Sequence, residues 1–111
     1  MTRKKEMMVA GVMSGTSADG VDVALCRIRD SASDVPKIKL IGAREYRYPK
    51  EVRSAVLAAM DAKSISVAEM SRLHWRLGEI YAEAVQTAAK EYGVKIDLVG
   101  NHGQTIYHQA R

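Results

Sequence analysis

The strongest structural signal in the sequence is an amphipathic pattern that begins at Ser66 and ends at Gly93. Glu69 follows Ser66 by three residues, and this capping box marks the start of a helix. Gly93 suits the left-handed residue at which a helix ends. Since the apolar side chains between these residues share one face, the helix must pack against a second layer. The predicted apolar face comprises Val67, Met70, Leu73, Leu77, Ile80, Ala84, Val85, Ala88 and Tyr92.

Three apolar segments before this helix have the pattern of β-strands and can form that second layer. They comprise residues 7–13, 21–29 and 37–46. The first segment is apolar throughout, as in a buried strand, whereas the second and third alternate apolar with more polar side chains. Because only short polar connections separate the segments, we predict that they form an antiparallel meander.

Two further elements complete the predicted order. Pro49 suits the first turn of a helix, and helical spacing continues from it to about Ala62. Residues 95–101 are typical of a short strand that ends at a turn-like His-Gly-Gln-Thr segment. We therefore predict an α/β fold with the order β-β-β-α-α-β, in which helices pack on a mixed sheet. No helix or strand follows to cover the last strand before Arg111, so we expect an incomplete fold.

The composition is that of an ordinary folded chain with one domain or lobe. Hydrophobic residues make up 47% and charged residues 27% of the 111 residues. No stretch reaches the roughly 18 apolar residues of a membrane span. The single cysteine, Cys26, excludes a disulfide framework, and we expect it to be packed in a strand in a reducing cytoplasm. Arg3, Lys4 and Lys5 form the only dense basic run, which is compatible with a solvated tail or a nucleic-acid-binding arm.

The connection between the first two strands, residues 14–22, is richer in polar groups than a chain reversal requires. Gly15 and Gly20 let the backbone turn sharply and approach a ligand, and successive amides in such a turn can form an anion nest. The hydroxyl groups suit phosphate oxygens, and the carboxylates of Asp19 and Asp22 suit Mg²⁺, directly or through water. A hydrogen-bonded hairpin without a ligand is the alternative, because Asp19-Gly20 is also a favourable hairpin pair.

A second polar cluster, from His102 to Thr105, follows the last predicted strand. Ligand sites often lie at strand ends, and Gly103 permits close approach of a ligand. Gln104 and Thr105 carry neutral donors and acceptors that suit the hydroxyl and amide groups of a sugar. A plain strand-end turn is one alternative, and metal binding by His102 and His108 is another.

These two clusters resemble the N-terminal part of the anhydro-N-acetylmuramic acid kinase family. The resemblance rests on GVMSGTSADGVDVAL and on GNHGQTIYH about eighty residues later, with support from RLHWRLGEIYAEAV in the long helix. It covers essentially all of the chain, which is roughly a third of a two-lobed family member. The implied fold is ribonuclease H-like or actin-like, as in sugar kinases, Hsp70 and actin. Residues 1–111 would form part of the N-terminal ATPase-like lobe, with the second lobe absent.

The resemblance implies an ATP-dependent kinase that takes part in the recycling of peptidoglycan sugars. The family opens the 1,6-anhydro ring of anhydro-N-acetylmuramate by hydrolysis and phosphorylates O6, which yields N-acetylmuramate 6-phosphate. ATP and Mg²⁺ are the implied cofactors. The aspartate base of the family lies in a later segment, so we expect no catalytic residue before Arg111 and weak or absent activity from the isolated chain. A cytoplasmic homodimer at full length, without nucleic-acid or membrane partners, is also implied.

By position, the resemblance assigns ATP binding to the first cluster and the sugar side of the cleft to the second. The implied ATP-binding residues are Gly15, Thr16, Ser17, Ala18, Asp19, Gly20, Val21 and Asp22, and the implied sugar-side residues are His102, Gly103, Gln104 and Thr105. Many superfamily members have an aspartate where this chain has Met13, so Asp19 and Asp22 are predicted only as phosphate-loop or water-mediated magnesium residues. A non-catalytic nucleotide- or sugar-binding module and a small basic nucleic-acid-binding protein are the alternative functions.

Overall fold

The computed structural model describes residues 6–109 and contains four strands and two helices. These are β1 (Glu6–Ser14), β2 (Gly20–Arg29), β3 (Lys37–Arg47), α1 (Lys50–Asp61), α2 (Val67–Tyr92) and β4 (Leu98–Gln104). The predicted order β-β-β-α-α-β is therefore confirmed. The basic run of Arg3, Lys4 and Lys5 lies outside the described residues, and both hypotheses for it stay predictions.

A single mixed sheet carries the fold, with the strands in the spatial order β3-β2-β1-β4. β1 pairs antiparallel with β2, and β2 pairs antiparallel with β3, which confirms the predicted meander. β4 pairs parallel with β1, and Ser14 lies beside Gln104 in that register. Because β1 and β4 run in the same direction, the residues that follow them emerge at the same edge of the sheet.

The helix α2 begins and ends at the residues that its sequence predicts. The Ser66 hydroxyl oxygen accepts a hydrogen bond of 3.0 Å from the Glu69 amide, and Gly93 adopts φ 62° and ψ 36°. The prediction was wrong for Val67, which is 87% exposed. Val67 lies in the first turn, and α2 first becomes buried at Leu73. The buried face contains Leu73, Leu77, Ile80, Tyr81, Ala84 and Ala88.

The helix α1 contributes two fully enclosed valines to the same core. Val52 and Val56 are buried, and Pro49 is the N-cap residue, one position earlier than the first-turn position predicted for it. The core lies between the helices and one face of the sheet, where β1 and β2 supply apolar side chains from alternate positions. These strand residues are Ala10, Val12, Val21, Val23 and Leu25. Neither described helix is long and apolar enough to cross a membrane.

The opposite face of the sheet is left uncovered by the residues that the structure describes. Ile38 and Leu40 of β3 are 67% and 61% exposed, and Leu98 of β4 is 53% exposed. Cys26 lies beside Leu40 on β3 and Val9 on β1. It is only partly buried, because it occupies this face rather than the core that was expected.

The last strand differs most from its prediction. Residues 95–101 were predicted as the strand and the next residues as a turn, whereas β4 spans Leu98–Gln104. Pairing with β1 explains the extension, since Met13 lies beside Gly103 and Ser14 beside Gln104. The register shifts between Val12 and Met13, and His102 is the extra residue that this β-bulge places on β4.

Candidate functional site

The loop between β1 and β2 is a tight turn whose shape is set by the core beneath it. The Ala18 amide donates a hydrogen bond of 3.1 Å to the Gly15 carbonyl oxygen. Ala18 has a φ of 53°, in the left-handed region that residues other than glycine rarely adopt. This conformation costs on the order of 1 kcal/mol. Because Ala18 is fully buried and its amide is bonded to Gly15, packing holds the residue in place, and neither its methyl group nor its amide is available to a ligand.

The tip of this loop presents hydrogen-bond donors to solvent. Thr16 and Ser17 are exposed, and no acceptor within residues 6–109 receives their amides or hydroxyl groups. A β-carbon added at Gly15 would meet no described atom within 4 Å, and Gly15 does not have a positive φ. Exposed amides beside an unobstructed backbone are the arrangement that binds phosphate oxygens in anion nests.

Gly20 has a different role from Gly15. A β-carbon at Gly20 would overlap the carbonyl oxygen of Tyr46 and lie 2.8 Å from the Cα atom of Arg47. The need for glycine here therefore comes from the close approach of β3. Val21, the next residue, is fully buried in the core, so its side chain is not available to a ligand.

The two carboxylates of the first cluster lie in different surroundings. Asp19 is exposed in the loop, where its carboxylate lies 3.6 Å from the guanidinium of Arg53 on α1. The Arg53 guanidinium also lies 3.5 Å from the Ser17 carbonyl oxygen. Asp22 is exposed on β2, and its register neighbours are Met13 and Glu45. No group of three or more His, Cys, Asp or Glu side chains in the described part of the chain is placed to hold a metal ion.

Arg53 was not identified by the sequence analysis. The chain has many surface arginines and lysines, and the position of Arg53 on α1 carries no motif. Its proximity to the loop follows from the way α1 packs after β3, which is a tertiary feature. The result is a positive charge beside the Ser17 carbonyl oxygen and the Asp19 carboxylate of the loop.

The second cluster lies on β4 at the edge where the first loop emerges. Gly103 has a φ of 80°, and its amide donates a hydrogen bond of 2.8 Å to the side-chain oxygen of Asn101. His102 is exposed at the β-bulge, and bulges commonly redirect side chains near functional sites. A cavity of about 310 Å³ lies between this segment and α2. It is lined by His74, Gly78, Asn101, His102, Gly103 and Gln104, among other residues.

His74 is the other histidine that lines this cavity. Because His74 lies inside α2, a packing or surface role is more common for it than a catalytic one. It is exposed, as that interpretation expects, but α2 brings it to the same cavity as His102.

A hydrogen-bonded cluster joins the two candidate segments beneath the loop. The Gln104 Nε2 atom donates to the carbonyl oxygens of Gly15 at 2.8 Å and Thr105 at 2.9 Å. Its Oε1 atom lies 2.6 Å from the Ser14 hydroxyl and 2.9 Å from the Tyr48 hydroxyl. The end of β4 is thereby tied to the first residues of the hairpin loop.

Tyr48 is the central residue of this cluster and was also missed from the sequence. Its amide donates a hydrogen bond of 3.0 Å to the Asp19 carbonyl oxygen. Its buried hydroxyl lies 2.8 Å from the Ser14 hydroxyl and 3.3 Å from the Tyr81 hydroxyl. Burial raises the pKa of Tyr81, and its hydrogen bond with Tyr48 raises it further, so Tyr81 remains a neutral phenol near neutral pH. A tyrosine before Pro49 in a connection gives no sequence signal for this role.

Sequence comparison with known proteins identifies the family of this chain. A sequence model of the family described as anhydro-N-acetylmuramic acid kinase matches residues 7–111. Three curated relatives bear the same name. The protein of Bacillus cereus strain Q1 is 42% identical over 108 residues, and that of Caldanaerobacter subterraneus subsp. tengcongensis is 39% identical over 108 residues. The protein of Picosynechococcus sp. is 40% identical over 103 residues.

These matches define a kinase family, and the mixed sheet with two helices is compatible with a lobe of an actin-like ATPase. The chain belongs to the anhydro-N-acetylmuramic acid kinase family. The alignments cover 93–95% of this chain but only 27–28% of the length of the three relatives. The chain therefore corresponds to an N-terminal portion, and the resemblance identified from the sequence is confirmed.

Proposed function

We propose that this chain supplies the phosphate-binding segment of an ATP-dependent kinase that acts on 1,6-anhydro-N-acetylmuramate. The supporting observation is that a loop with exposed amides and a polar strand end meet at one edge of the sheet, joined by Gln104. The names of the relatives support the choice of sugar. The proposed reaction combines hydrolysis of the anhydro ring with phosphorylation of O6, as a step in peptidoglycan recycling.

The proposed task of the hairpin loop is to orient the phosphates of ATP. Enzymes that transfer phosphoryl groups act mainly by positioning and by stabilising charge. The amides and hydroxyl groups of Thr16 and Ser17 would bind phosphate oxygens, and Arg53 would add positive charge nearby. Mg²⁺, when bound, would neutralise phosphate charge. Asp19 is the carboxylate in the loop, and since no three-ligand group occurs in the described residues, its proposed contact with Mg²⁺ runs through water.

The proposed sugar side is the segment from His102 to Thr105 together with the cavity beside α2. A volume of about 310 Å³ is within the range of small-molecule sites. His74 and Asn101 add polar groups to the cavity wall.

The proposed catalytic base lies in a later segment of a full-length family member. Asp19 is not assigned this role because its carboxylate lies 3.6 Å from the guanidinium of Arg53, an ion pair that suits a binding role. Asp22 is not assigned it because it lies on β2 beside Met13 and Glu45, outside the hairpin loop. We therefore expect no kinase turnover from the 111-residue chain, and full activity from it would contradict this assignment.

The test of the loop is a double substitution, Thr16→Val with Asp19→Asn, in the complete protein. We expect kcat/KM for ATP to fall on the order of 100-fold or more, because ligands of the transferring phosphates are lost. The matched control is Thr87→Val with Asp34→Asn, which changes the same residue types at exposed positions outside the loop. Mass spectrometry of N-acetylmuramate 6-phosphate formation measures both. Equal kcat/KM values for the two variants would remove the phosphate role from this loop.

We also propose that the complete protein is a cytoplasmic homodimer, a proposal supported by the family to which the chain belongs. Sedimentation of the purified complete protein tests the oligomeric state, and a monomer at all concentrations would contradict it.

A further inference from the structure

The side-chain amide of Gln104 faces partners inside the protein with all of its polar atoms. A primary amide has two N–H donors and one oxygen with two lone pairs. Both donors are directed to carbonyl oxygens, those of Gly15 and Thr105. The oxygen faces the hydroxyl groups of Ser14 and Tyr48. The orientation of the amide is fixed, since a flipped amide would place its oxygen against two carbonyl oxygens that can only accept.

The hydroxyl groups around Gln104 also have a consistent arrangement of protons. Ser14, Tyr48 and Tyr81 carry one proton each. If Ser14 donates to the Gly20 carbonyl oxygen, Tyr48 donates to the Gln104 oxygen and Tyr81 donates to Tyr48, the Gly20 oxygen, the Gln104 oxygen and the Tyr48 hydroxyl each receive one proton. No buried side-chain polar atom among the described residues is left without a partner. The cluster therefore has no free group with which to bind a substrate.

The same cluster holds the backbone of the hairpin loop at three points. Gln104 binds the Gly15 carbonyl, the Tyr48 amide binds the Asp19 carbonyl, and the Ser14 hydroxyl binds the Gly20 carbonyl. With these carbonyls bonded internally, the amides at the tip are the loop groups that remain for an anion.

We propose that Gln104 is a positioning residue that sets the geometry of the hairpin loop, with Tyr48 as its partner, and that it does not bind the sugar. This inference rests on the proposed function, because it takes the loop as the binding site for ATP phosphates. It revises the assignment of Gln104 made from the sequence, in which the amide faced the substrate. His102 and Gly103 keep their proposed place on the sugar side.

The first test needs no ligand and uses hydrogen–deuterium exchange of the loop in the complete protein. Gln104→Glu keeps the shape of the side chain but replaces the donor to the Gly15 carbonyl with an acceptor. Tyr48→Phe removes only a hydroxyl group. We expect exchange of the Ala18 and Tyr48 amides, which are hydrogen-bonded to carbonyl oxygens of the loop, to rise about tenfold or more in both variants, as expected for the loss of a buried hydrogen bond. Unchanged exchange in both variants would overturn the proposal.

Two controls separate positioning from general loss of stability. Tyr81→Phe removes a hydroxyl group from the same cluster that does not contact Gln104, and Tyr46→Phe removes one that lies 3.3 Å from Glu91. We expect loop exchange in both controls to stay within about twofold of the wild type. If Gln104→Glu does not fold, the comparison of Tyr48→Phe with these controls decides the question.

The second test measures ATP–Mg²⁺ and anhydro-N-acetylmuramate binding separately by calorimetry. We expect the Kd for ATP to rise about tenfold or more in Gln104→Glu and Tyr48→Phe, while the Kd for the sugar stays within about twofold. A weaker affinity for the sugar with an unchanged affinity for ATP would identify Gln104 as a sugar ligand and overturn the proposal. A wild-type protein that binds no ATP would refute the proposed function, and loop exchange would still decide whether Gln104 positions the loop.

Discussion

At the scale of single residues, two glycines in the same loop have opposite reasons for being glycine. Gly20 lies against the backbone of β3, where a β-carbon would overlap the Tyr46 carbonyl oxygen. Gly15 has no described atom within 4 Å of its β-carbon position and no positive φ. The folded chain therefore requires a glycine at position 20, whereas no contact within the described residues requires one at position 15.

This contrast leads to a prediction for Gly20→Ala and Gly15→Ala. We expect Gly20→Ala to lower the free energy of unfolding by about 1–3 kcal/mol, because the backbone of β3 must move to admit the methyl group. We expect Gly15→Ala to change it by no more than about 1 kcal/mol, since the methyl group meets open space. Denaturant unfolding of the 111-residue chain measures both changes, and an equal loss in the two variants would contradict the distinction.

At the scale of an element, α2 shows which parts of a helix are set by local chemistry. Its two ends coincide with Ser66 and Gly93, whose capping roles depend only on neighbouring backbone groups. The face that it buries depends on what lies opposite. Tyr81 is buried because its hydroxyl group meets Tyr48, and Val67 is exposed because the first turn extends beyond the core.

Gly78 lies within α2 and Gly93 caps its C-terminus, and substitution of each by alanine should change stability in opposite directions. Gly93 has a φ of 62°, so Gly93→Ala forces a methyl group into the left-handed conformation and should cost about 1 kcal/mol of stability. Gly78 is exposed within the helix with no described atom near its β-carbon position, so Gly78→Ala should add up to about 1 kcal/mol. Urea unfolding followed by circular dichroism measures the two changes, which must have opposite signs.

At the scale of the whole molecule, the sheet has one buried face and one exposed face. Leu25 is fully buried beneath the helices, whereas Leu40 on the neighbouring strand is 61% exposed on the other side. Helix packing, rather than strand hydrophobicity, therefore decides which leucine contributes to stability.

We expect Leu25→Ala to reduce the free energy of unfolding by about 2–5 kcal/mol, because it leaves a cavity in the core. Leu40→Ala removes the same atoms at an exposed position and should change stability by less than about 1 kcal/mol. Thermal and denaturant unfolding of the 111-residue chain test the pair. A similar loss for both variants would show that the outer face is also packed in solution.

Much of the fold was predictable because the signals for its elements are local. Strand periodicity identified β1, β2 and β3, and capping identified α2, to within a residue or two. The prediction failed most at β4, where the His-Gly-Gln segment was interpreted as a turn. Its extension through Gln104 depends on pairing with β1, whose partner residues are about ninety positions earlier in the chain.

The candidate site likewise combines residues that the sequence indicates with contacts that only the folded chain shows. Glycine, hydroxyl and carboxylate groups clustered in one connection are visible in the sequence and indicated the loop of residues 14–22. Together with the motif that contains His102–Thr105, they indicated the family. The contacts of Arg53, Tyr48 and Gln104 with that loop were not visible. Each residue reaches the loop from another element, and hydrogen bonds between distant segments leave no periodic or spacing pattern. Local chemistry thus established the elements and motifs of this chain, while the parallel pairing of β1 with β4 and the packing of α1 established which residues hold the loop.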